Sequence, residues 1–243
     1  MSLFDRIRPR KPQPAEAQAE ANIPAAPSGD KARLSNLADT EGMLWGEDVA
    51  EDYHGRATRD MALHWRMFLA DVFARHTFDL ARSVDIAAGF GRNTRKLLEL
   101  GAGHVIAVDV NPDCIARLET NFANDPVTVL HNNGHDIAGI DAESRTFVYS
   151  FDAMVHFDTE IVFAYIHEFF RVLEPGGMAL IHHSNFTGNP GGDFRDNPHW
   201  RNYMSLELFG HIAKRGGFEI VDQVPITWGI EGLDGITVLR RPA

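Results

Sequence analysis

The sequence is short of cysteine, of long apolar runs and of positive charge, and each shortage excludes a class of protein. The lone cysteine, Cys114, cannot form an intramolecular disulfide or a cysteine-based zinc cluster. No run of about 18 apolar residues is present that would cross a bilayer. Lysine and arginine number 23 against 34 aspartate and glutamate, and the net charge of −11 would repel a nucleic-acid backbone. The sequence therefore predicts a cytoplasmic protein of a reducing compartment, without a membrane span or a nucleic-acid partner.

The remaining composition, 44% hydrophobic among 243 residues, is enough for one large globular domain. Residues 1–37 are rich in Ala, Pro, Glu and Gln and lack a sustained apolar period, so we expect a disordered N-terminal arm there. A single domain is expected over residues 38–243. Within it, residues 38–82 are predicted to form a helical cap, and the long polar stretch at residues 184–203 is predicted to form a substrate loop.

Short apolar or β-branched runs alternate with helical patterns along the expected domain. The predicted strands lie at 83–88, 104–110, 127–131, 147–151, 178–182, 218–225 and 236–240. The predicted helices lie at 58–76, 93–100, 113–122, 160–173 and 206–215. Alternation of this kind is typical of right-handed βαβ units. The expected fold is α/β, a Rossmann-like, doubly wound, seven-stranded and mainly parallel sheet with the last strand antiparallel.

Two glycines, Gly89 and Gly91, lie in the turn between the first predicted strand and its helix. Small residues there let backbone amides approach a ligand closely. The next predicted strand ends in Asp109, about 20 residues after the first glycine, where a carboxylate can accept hydrogen bonds from both hydroxyls of a ribose. Thr94 stands where a dinucleotide fingerprint would place its third glycine, which disfavours NAD.

Together these segments resemble the class I S-adenosylmethionine-dependent methyltransferases. The first motif of that family runs acid-x-Gly-x-Gly-x-Gly, and Asp85, Gly89 and Gly91 match it. Ala87 replaces the first glycine of the pattern. Asp109 matches the acid that ends the second strand in the family. The resemblance implies a methyl-transferring enzyme whose cofactor is S-adenosylmethionine.

The resemblance continues after the second strand. Residues 132–134 are similar to the family's third-strand motif, which implies that Asn133 faces the adenine, and residues 170–177 are similar to its fifth-strand entry, R-x-L-x-P-G-G. The cofactor-binding residues implied by the resemblance are Asp85, Ala87, Gly89, Gly91, Asp109, Val110, Asn111, Asn133, Gly134 and Ser150.

Histidines that follow the fourth strand and end the fifth are candidates for a general base. A hydroxyl acceptor must lose a proton on methylation, and a neutral histidine within hydrogen-bond reach is the usual base. His156 and His183 are therefore the predicted catalytic residues, with Asp152 as the orienting carboxylate and His199 as a third candidate. Strand alternation sends His182 and His183 to opposite faces, so at most one of them faces a single site.

The acceptor is expected to be a small molecule, most simply a hydroxyl of a sugar, a nucleotide sugar or a related metabolite. Trp45, Tyr53 and residues 185–203 combine aromatic rings with polar groups, and such surfaces suit hydroxyl-rich ligands. No ligand spacing such as H-E-x-x-H supports a metal. Alternatives remain: methylation of an amine or a carboxylate, an NAD-dependent oxidoreductase, or a non-catalytic cofactor-binding partner protein. The oligomeric state, including a homo-oligomer, stays open.

Overall fold

The computed structural model describes residues 28–243, apart from the side chains of residues 28–30 and 47–52. Residues 1–27 of the predicted arm lie outside the described residues. Residues 28–37, which were also assigned to that arm, belong to helix α1 (Ser28–Gly42). Helical structure therefore begins before the expected domain boundary at residue 38.

The predicted cap is helical. After α1 come a 3₁₀ turn (Met43–Trp45) and helix α2 (Glu47–Arg59). The helix expected at 58–76 is divided into α3 (Met61–His64), a π-helical turn (Trp65–Leu69) and α4 (Ala70–Arg75). Leu69 and Val72 are buried from this segment and pack in the same cluster as Phe147 and Leu180 of the sheet. Its apolar face therefore covers one side of the sheet, as its periodicity predicts.

The sheet has seven strands in the order β3-β2-β1-β4-β5-β7-β6. The strands are β1 (Arg82–Ile86), β2 (His104–Asp109), β3 (Val127–His131), β4 (Arg145–Ser150), β5 (Leu173–Ser184), β6 (Glu219–Trp228) and β7 (Ile230–Arg240). The first five strands pair in parallel, whereas β7 runs antiparallel to both β5 and β6. The predicted Rossmann-like, doubly wound α/β fold is confirmed.

Helices cover both faces of this sheet. They are α5 (Arg92–Glu99), α6 (Pro112–Asn121), α7 (Thr159–Val172) and α8 (Leu206–Arg215). The alternation along β4 shows the division, because Val148 packs with α7 and α8 while Phe147 and Tyr149 pack with the segment at 61–75.

No helix among residues 28–243 is long and apolar enough to span a membrane.

Parallel strands place their carboxyl ends at one edge of a sheet, and open α/β sheets bind ligands beyond that edge. The turn after β1, the end of β2, residues 132–134 after β3 and residues 151–156 after β4 all lie there. Helices α1 and α2 extend over the same edge and supply residues to the cavity beneath them. The fold therefore assembles its loops and its cap around one place.

Candidate functional site

A cavity lies at the carboxyl edge of the parallel strands. It holds about 720 Å³ of empty space when its open mouth is included. The turn after β1 contributes Ala87 and Gly89, and the end of β2 contributes Asp109 and Val110. These four predicted cofactor residues are brought together by the strand ends.

The turn after β1 has the conformation that its small residues suggest. Ala87 and Gly89 adopt positive φ angles of 54° and 58°, and Gly91 has a φ of 90° at the N-cap of α5. A Cβ built at residue 89 would lie 2.7 Å from Cε1 of His54, so glycine lets the cap helix α2 pack closely on this turn. A Cβ built at residue 91 would lie 2.2 Å from the ring of Phe122 instead, so Gly91 serves helix packing.

Asp109 fastens this turn to the second strand. Its Oδ2 accepts a hydrogen bond from the backbone N–H of Gly89 at 2.8 Å, and its Oδ1 accepts one from Asn111 at 2.9 Å. Burial raises the pKa of this carboxyl. Each carboxylate oxygen has two lone pairs, so both retain capacity for a ligand hydroxyl. Asn111 caps α6, accepting from the backbone N–H of Asp113, and donates to the carbonyl of Gly42 in the cap.

Two of the predicted cofactor residues, Asp85 and Ser150, are buried outside the cavity lining. Asp85 is fully buried, and its Oδ2 accepts a hydrogen bond from Oγ1 of Thr94 at 2.7 Å, while its Oδ1 has no partner. Burial raises the pKa of Asp85 to about 7. Ser150 is also buried and donates to the carbonyl of Ile86. Neither side chain lines the cavity, so both support the strand ends that do.

The third-strand motif is placed one residue away from the expectation. Asn133 is exposed, donates to Oδ2 of Asp136 and accepts from the backbone N–H groups of His135 and Asp136. These bonds hold its side chain in a local turn, outside the cavity lining. Asn132 and Gly134 line the cavity instead. The structure therefore does not place Asn133 in the cavity, and the side-chain amide that lines the cavity after β3 is that of Asn132.

The cap supplies walls that the sequence predicted and one that it did not. Trp45 and Tyr53, two of the residues predicted to wall an acceptor pocket, line the cavity with ring centroids 5.0 Å apart. Glu41 of α1 was not predicted. It accepts hydrogen bonds from Nδ2 of Asn202 at 3.1 Å and from the backbone N–H of Asp158 at 3.2 Å. Burial raises the pKa of Glu41 to about 8.

His156 lines the cavity and is held in one orientation. Its Nδ1 lies 2.7 Å from the carbonyl oxygen of Trp200, and its ring packs on Trp45 at a centroid distance of 4.7 Å. A carbonyl only accepts, so Nδ1 carries the proton and Nε2 has a free lone pair. Burial, followed by the positive charge of Arg201, lowers the pKa of His156 to about 4. The ring is therefore a neutral hydrogen-bond acceptor at physiological pH.

Asp152 also lines the cavity, from the end of β4. Its Oδ2 accepts hydrogen bonds from Nη2 of Arg92 at 2.6 Å and from the hydroxyl of Tyr53 at 2.8 Å. Burial alone would raise the pKa of Asp152, but the charge of Arg92 and of other nearby cations outweighs it and the pKa is lowered. No hydrogen bond joins Asp152 to His156 among the described residues, so the predicted orienting role belongs to the Trp200 carbonyl instead.

His183 is the wrong choice as a catalytic base. It is fully buried on the α8 side of the sheet, stacked on Phe209 at a centroid distance of 3.8 Å. Both ring nitrogens are occupied, Nδ1 by the carbonyl of Ser184 and Nε2 by Oγ1 of Thr237, each at 2.8 Å. Strand alternation turns its neighbour, His182, towards Asp152 instead, whose backbone N–H donates to His182 Nδ1 at 3.0 Å.

The predicted substrate loop stands behind the cavity rather than lining it. His199 is exposed, and Trp200 contributes its carbonyl to His156 and its ring to a contact with Trp45 at 5.7 Å. Asn202 contributes the hydrogen bond to Glu41. No group of three or more metal-ligating side chains with suitable geometry occurs in the described part of the chain.

The comparisons with known proteins agree with this geometry. Residues 84–177 match a family model described as a methyltransferase domain. A Mycolicibacterium smegmatis protein named a probable S-adenosylmethionine-dependent methyltransferase is 29% identical over 172 residues, which cover 65% of this chain. The match spans 63% of the length of that relative.

Solved structures show the same fold. One is a chain from Haloferax volcanii solved in complex with a methyltransferase activator, with a TM-score of 0.62, 18% identity and coverage of 80% of this chain and 97% of that one. Another is an S-adenosylmethionine-dependent methyltransferase from Mesorhizobium loti, with a TM-score of 0.55, 17% identity and coverage of 66% and 90%.

The residues present fit the cofactor of these relatives. Asp109 offers carboxylate oxygens at the strand end, and Ala87, Gly89 and Val110 line the cavity beside it. The methyltransferase match favours the expected cofactor over NAD, the alternative that Thr94 disfavours. Residues 84–177 therefore match a methyltransferase domain, and the chain is similar to an S-adenosylmethionine-dependent methyltransferase.

Proposed function

We propose that this protein transfers a methyl group from S-adenosylmethionine to a hydroxyl oxygen of an uncharged small molecule, such as a sugar or a related metabolite. The observation that carries the proposal is the state of His156. Its Nδ1 proton is engaged by the Trp200 carbonyl at 2.7 Å, which leaves Nε2 as a free acceptor on a side chain that lines the cavity.

The chain's own residues would hold the cofactor at the β1 and β2 ends of the cavity. Asp109 accepts the ribose hydroxyls, and the turn at Ala87 and Gly89 lets the backbone approach the ligand closely. When bound, the cofactor supplies an electrophilic methyl group on a sulfonium sulfur. Most of the rate enhancement then comes from holding the acceptor in line with that methyl group.

His156 is the proposed general base. Nε2 accepts the proton that a hydroxyl loses when it is methylated, and positioned proton transfer of this kind contributes about 10²- to 10⁴-fold in rate. Burial and the charge of Arg201 lower the pKa of His156 to about 4, so the ring is neutral at pH 7 and is a weak base. It accepts the proton as the hydroxyl oxygen bonds to the methyl group and that proton becomes acidic. The apolar rings of Trp45 and Tyr53 beside it exclude water from the reacting groups.

The ionisable groups of the walls support an uncharged acceptor. The described lining includes no lysine or arginine that would pair with an anion. The Asp152 carboxylate is paired with Arg92 at 2.6 Å, and burial raises the pKa of Glu41 to about 8, so that carboxyl is mainly neutral at pH 7. Within the saccharide class, a lining without a cation favours a free sugar over a nucleotide sugar, and it disfavours carboxyl methylation. The aromatic rings of Trp45 and Tyr53 suit a cationic amine, so N-methylation is the second candidate.

The setting also supports a small acceptor in the cytoplasm. The net charge of −11 disfavours nucleic acid, and the cap covers the cavity with α1 and α2. Cys114 is a free, buried thiol whose pKa burial raises, which is consistent with a reducing compartment.

The test begins with calorimetry of the purified protein with S-adenosylmethionine, S-adenosylhomocysteine and NAD. We expect saturable binding of the two adenosyl ligands alone. Methyl transfer is then measured on three matched acceptors: a neutral sugar, its phosphate ester and the corresponding amino sugar. Turnover of the neutral sugar supports the proposal, whereas turnover of the amino sugar alone, at nitrogen, would favour the second candidate.

The base is tested by His156→Ala, with His211→Ala as the matched control, because His211 is exposed on α8. We expect kcat on a hydroxyl acceptor to fall by about 10²- to 10⁴-fold in the first variant only, while the affinity for S-adenosylhomocysteine is unchanged. Equal turnover in the two variants would show that His156 is not the base.

A further inference from the structure

Asp234 is a buried carboxylate that lies outside the cavity lining. It belongs to β7 opposite Ser184 of β5, and it is fully buried. Its Oδ1 accepts from Nε of Arg201 at 2.8 Å and its Oδ2 accepts from Nη2 of Arg201 at 2.6 Å. Oδ2 also lies 3.1 Å from Nε2 of His182. The Asp234 carboxylate therefore has two side-chain partners, Arg201 and His182.

One partner leads to His156. Arg201 is 2% exposed, and its third donor, Nη1, binds the carbonyl of His199 at 2.9 Å. His199 and Trp200 both have positive φ angles, 51° and 56°, which residues with side chains rarely adopt. This backbone conformation directs the Trp200 carbonyl to Nδ1 of His156. The fork from Arg201 to Asp234 thus holds the segment that orients the proposed base.

The other partner leads to Asp152. His182 Nδ1 accepts the backbone N–H of Asp152 at 3.0 Å, so the His182 proton is on Nε2, directed at Asp234. Asp152 has a positive φ of 59°, again unusual for a residue with a side chain. His182 therefore fixes the backbone from which the Asp152 carboxylate enters the cavity.

We propose that Asp234 is a positioning residue that sets both polar groups of the acceptor end of the cavity, His156 through Arg201 and Asp152 through His182. Neither arm brings Asp234 into the cavity lining. A buried ion pair by itself need not stabilise a protein, because the cost of desolvation offsets the attraction between the charges. The role that we assign to this ion pair is the orientation of His156 and Asp152, which lie 78 and 82 positions before Asp234 in the chain. The part that concerns catalysis rests on the function proposed above.

The first experiment reads the position of the His156 proton directly, without activity. Nitrogen and proton NMR of the imidazoles is recorded for the wild type and Asp234→Asn at neutral pH, with exposed His211 as the internal reference. We expect His156 to be the Nδ1–H form in the wild type and a mixture of tautomers in the variant. An unchanged His156 spectrum in a folded Asp234→Asn protein would overturn the proposal.

The matched control is Asp222→Asn. Asp222 of β6 also binds an arginine and a histidine, with Arg75 Nη2 at 2.8 Å and His76 Nε2 at 2.9 Å, but none of the three lines the cavity. We expect this variant to keep the wild-type His156 signal. If Asp234→Asn does not fold, Arg201→Lys is measured instead. Lysine retains the charge without the fork, and a His156 tautomer unchanged in this variant would overturn the proposal equally.

The second experiment separates positioning from stability. On a hydroxyl acceptor, Asp234→Asn is expected to lower kcat by 10- to 100-fold, with the affinity for S-adenosylhomocysteine within twofold of the wild type. In a His156→Ala background the same substitution should cost less than threefold, because the oriented base is already gone. An equal loss in both backgrounds would overturn the His156 arm. Absence of methyl transfer by the wild type would refute the proposed function, while the NMR result still decides the role of Asp234.

Discussion

Replacement of Asp109 by asparagine should remove most of the affinity for the cofactor while keeping the shape of the side chain. The carboxylate already accepts the backbone N–H groups of Gly89 and Asn111 and has one further lone pair on each oxygen. Hydrogen bonds to a charged group contribute about 1.5–3 kcal/mol each. Asparagine loses the charge and turns one acceptor into a donor that faces a backbone N–H. We therefore expect a loss of about 2–4 kcal/mol, or about 30- to 1,000-fold in Kd.

The measurement is calorimetry with S-adenosylhomocysteine, together with thermal unfolding of each variant. Asp141→Asn is the control, because it makes the same change of charge at an exposed residue outside the cavity. It should bind as the wild type does. If a folded Asp109→Asn protein binds within threefold of the wild type, Asp109 is not the ribose acceptor and its role is confined to holding the turn at Gly89.

Three further outcomes are expected. Because burial lowers the pKa of His156 to about 4, the pH–rate profile on a hydroxyl acceptor should stay flat from pH 8 to about 5 and fall below that; an acid limb near pH 6.5 would contradict the assignment. In urea titrations Gly91→Ala should cost about 2–4 kcal/mol, since its Cβ meets Phe122, whereas Gly101→Ala, with φ 94° but open space, should cost only about 1–2 kcal/mol. Burial raises the pKa of Glu41 from 4.5 to about 8, so its contribution to stability is complete below pH 4.5 and is lost as pH rises through 8; melting curves of Glu41→Gln should lack this decline, and parallel curves for both proteins would refute it.

The strands and the cofactor end of the site were predictable because their signals are local. A short apolar run that ends in an acid, followed by small residues in a turn, specifies a strand end within a few positions, and this was enough to place Asp109 and Gly89 at the cavity. It was harder to predict which of two adjacent residues would face the cavity. The sequence does not show which of Asn132 and Asn133 is taken up by a local turn, and the hydrogen bonds to Asp136 decide it.

The acceptor end depends on contacts between distant parts of the chain. Alternation along β5 predicts that His182 and His183 face opposite ways, but which of them faces the site depends on β7 and α8. Glu41 reaches Asn202 from 161 positions away, and Asp234 reaches Arg201 across 33. No pattern within a single helix or strand encodes such pairs, so Glu41 and Asp234 became visible only in the folded structure.

The cap over the cavity gives a bound ligand two sets of contacts, one with the cap helices and one with the strand ends. Near the cavity, α1 is joined to the rest of the fold by hydrogen bonds from Asn111 to the carbonyl of Gly42 and from Asn202 and the backbone N–H of Asp158 to Glu41. A ligand beneath Trp45 would contact the cap and the sheet edge together. An inhibitor that bound both would dissociate more slowly than one held by the sheet edge alone, even if its contacts with the reacting groups were modest.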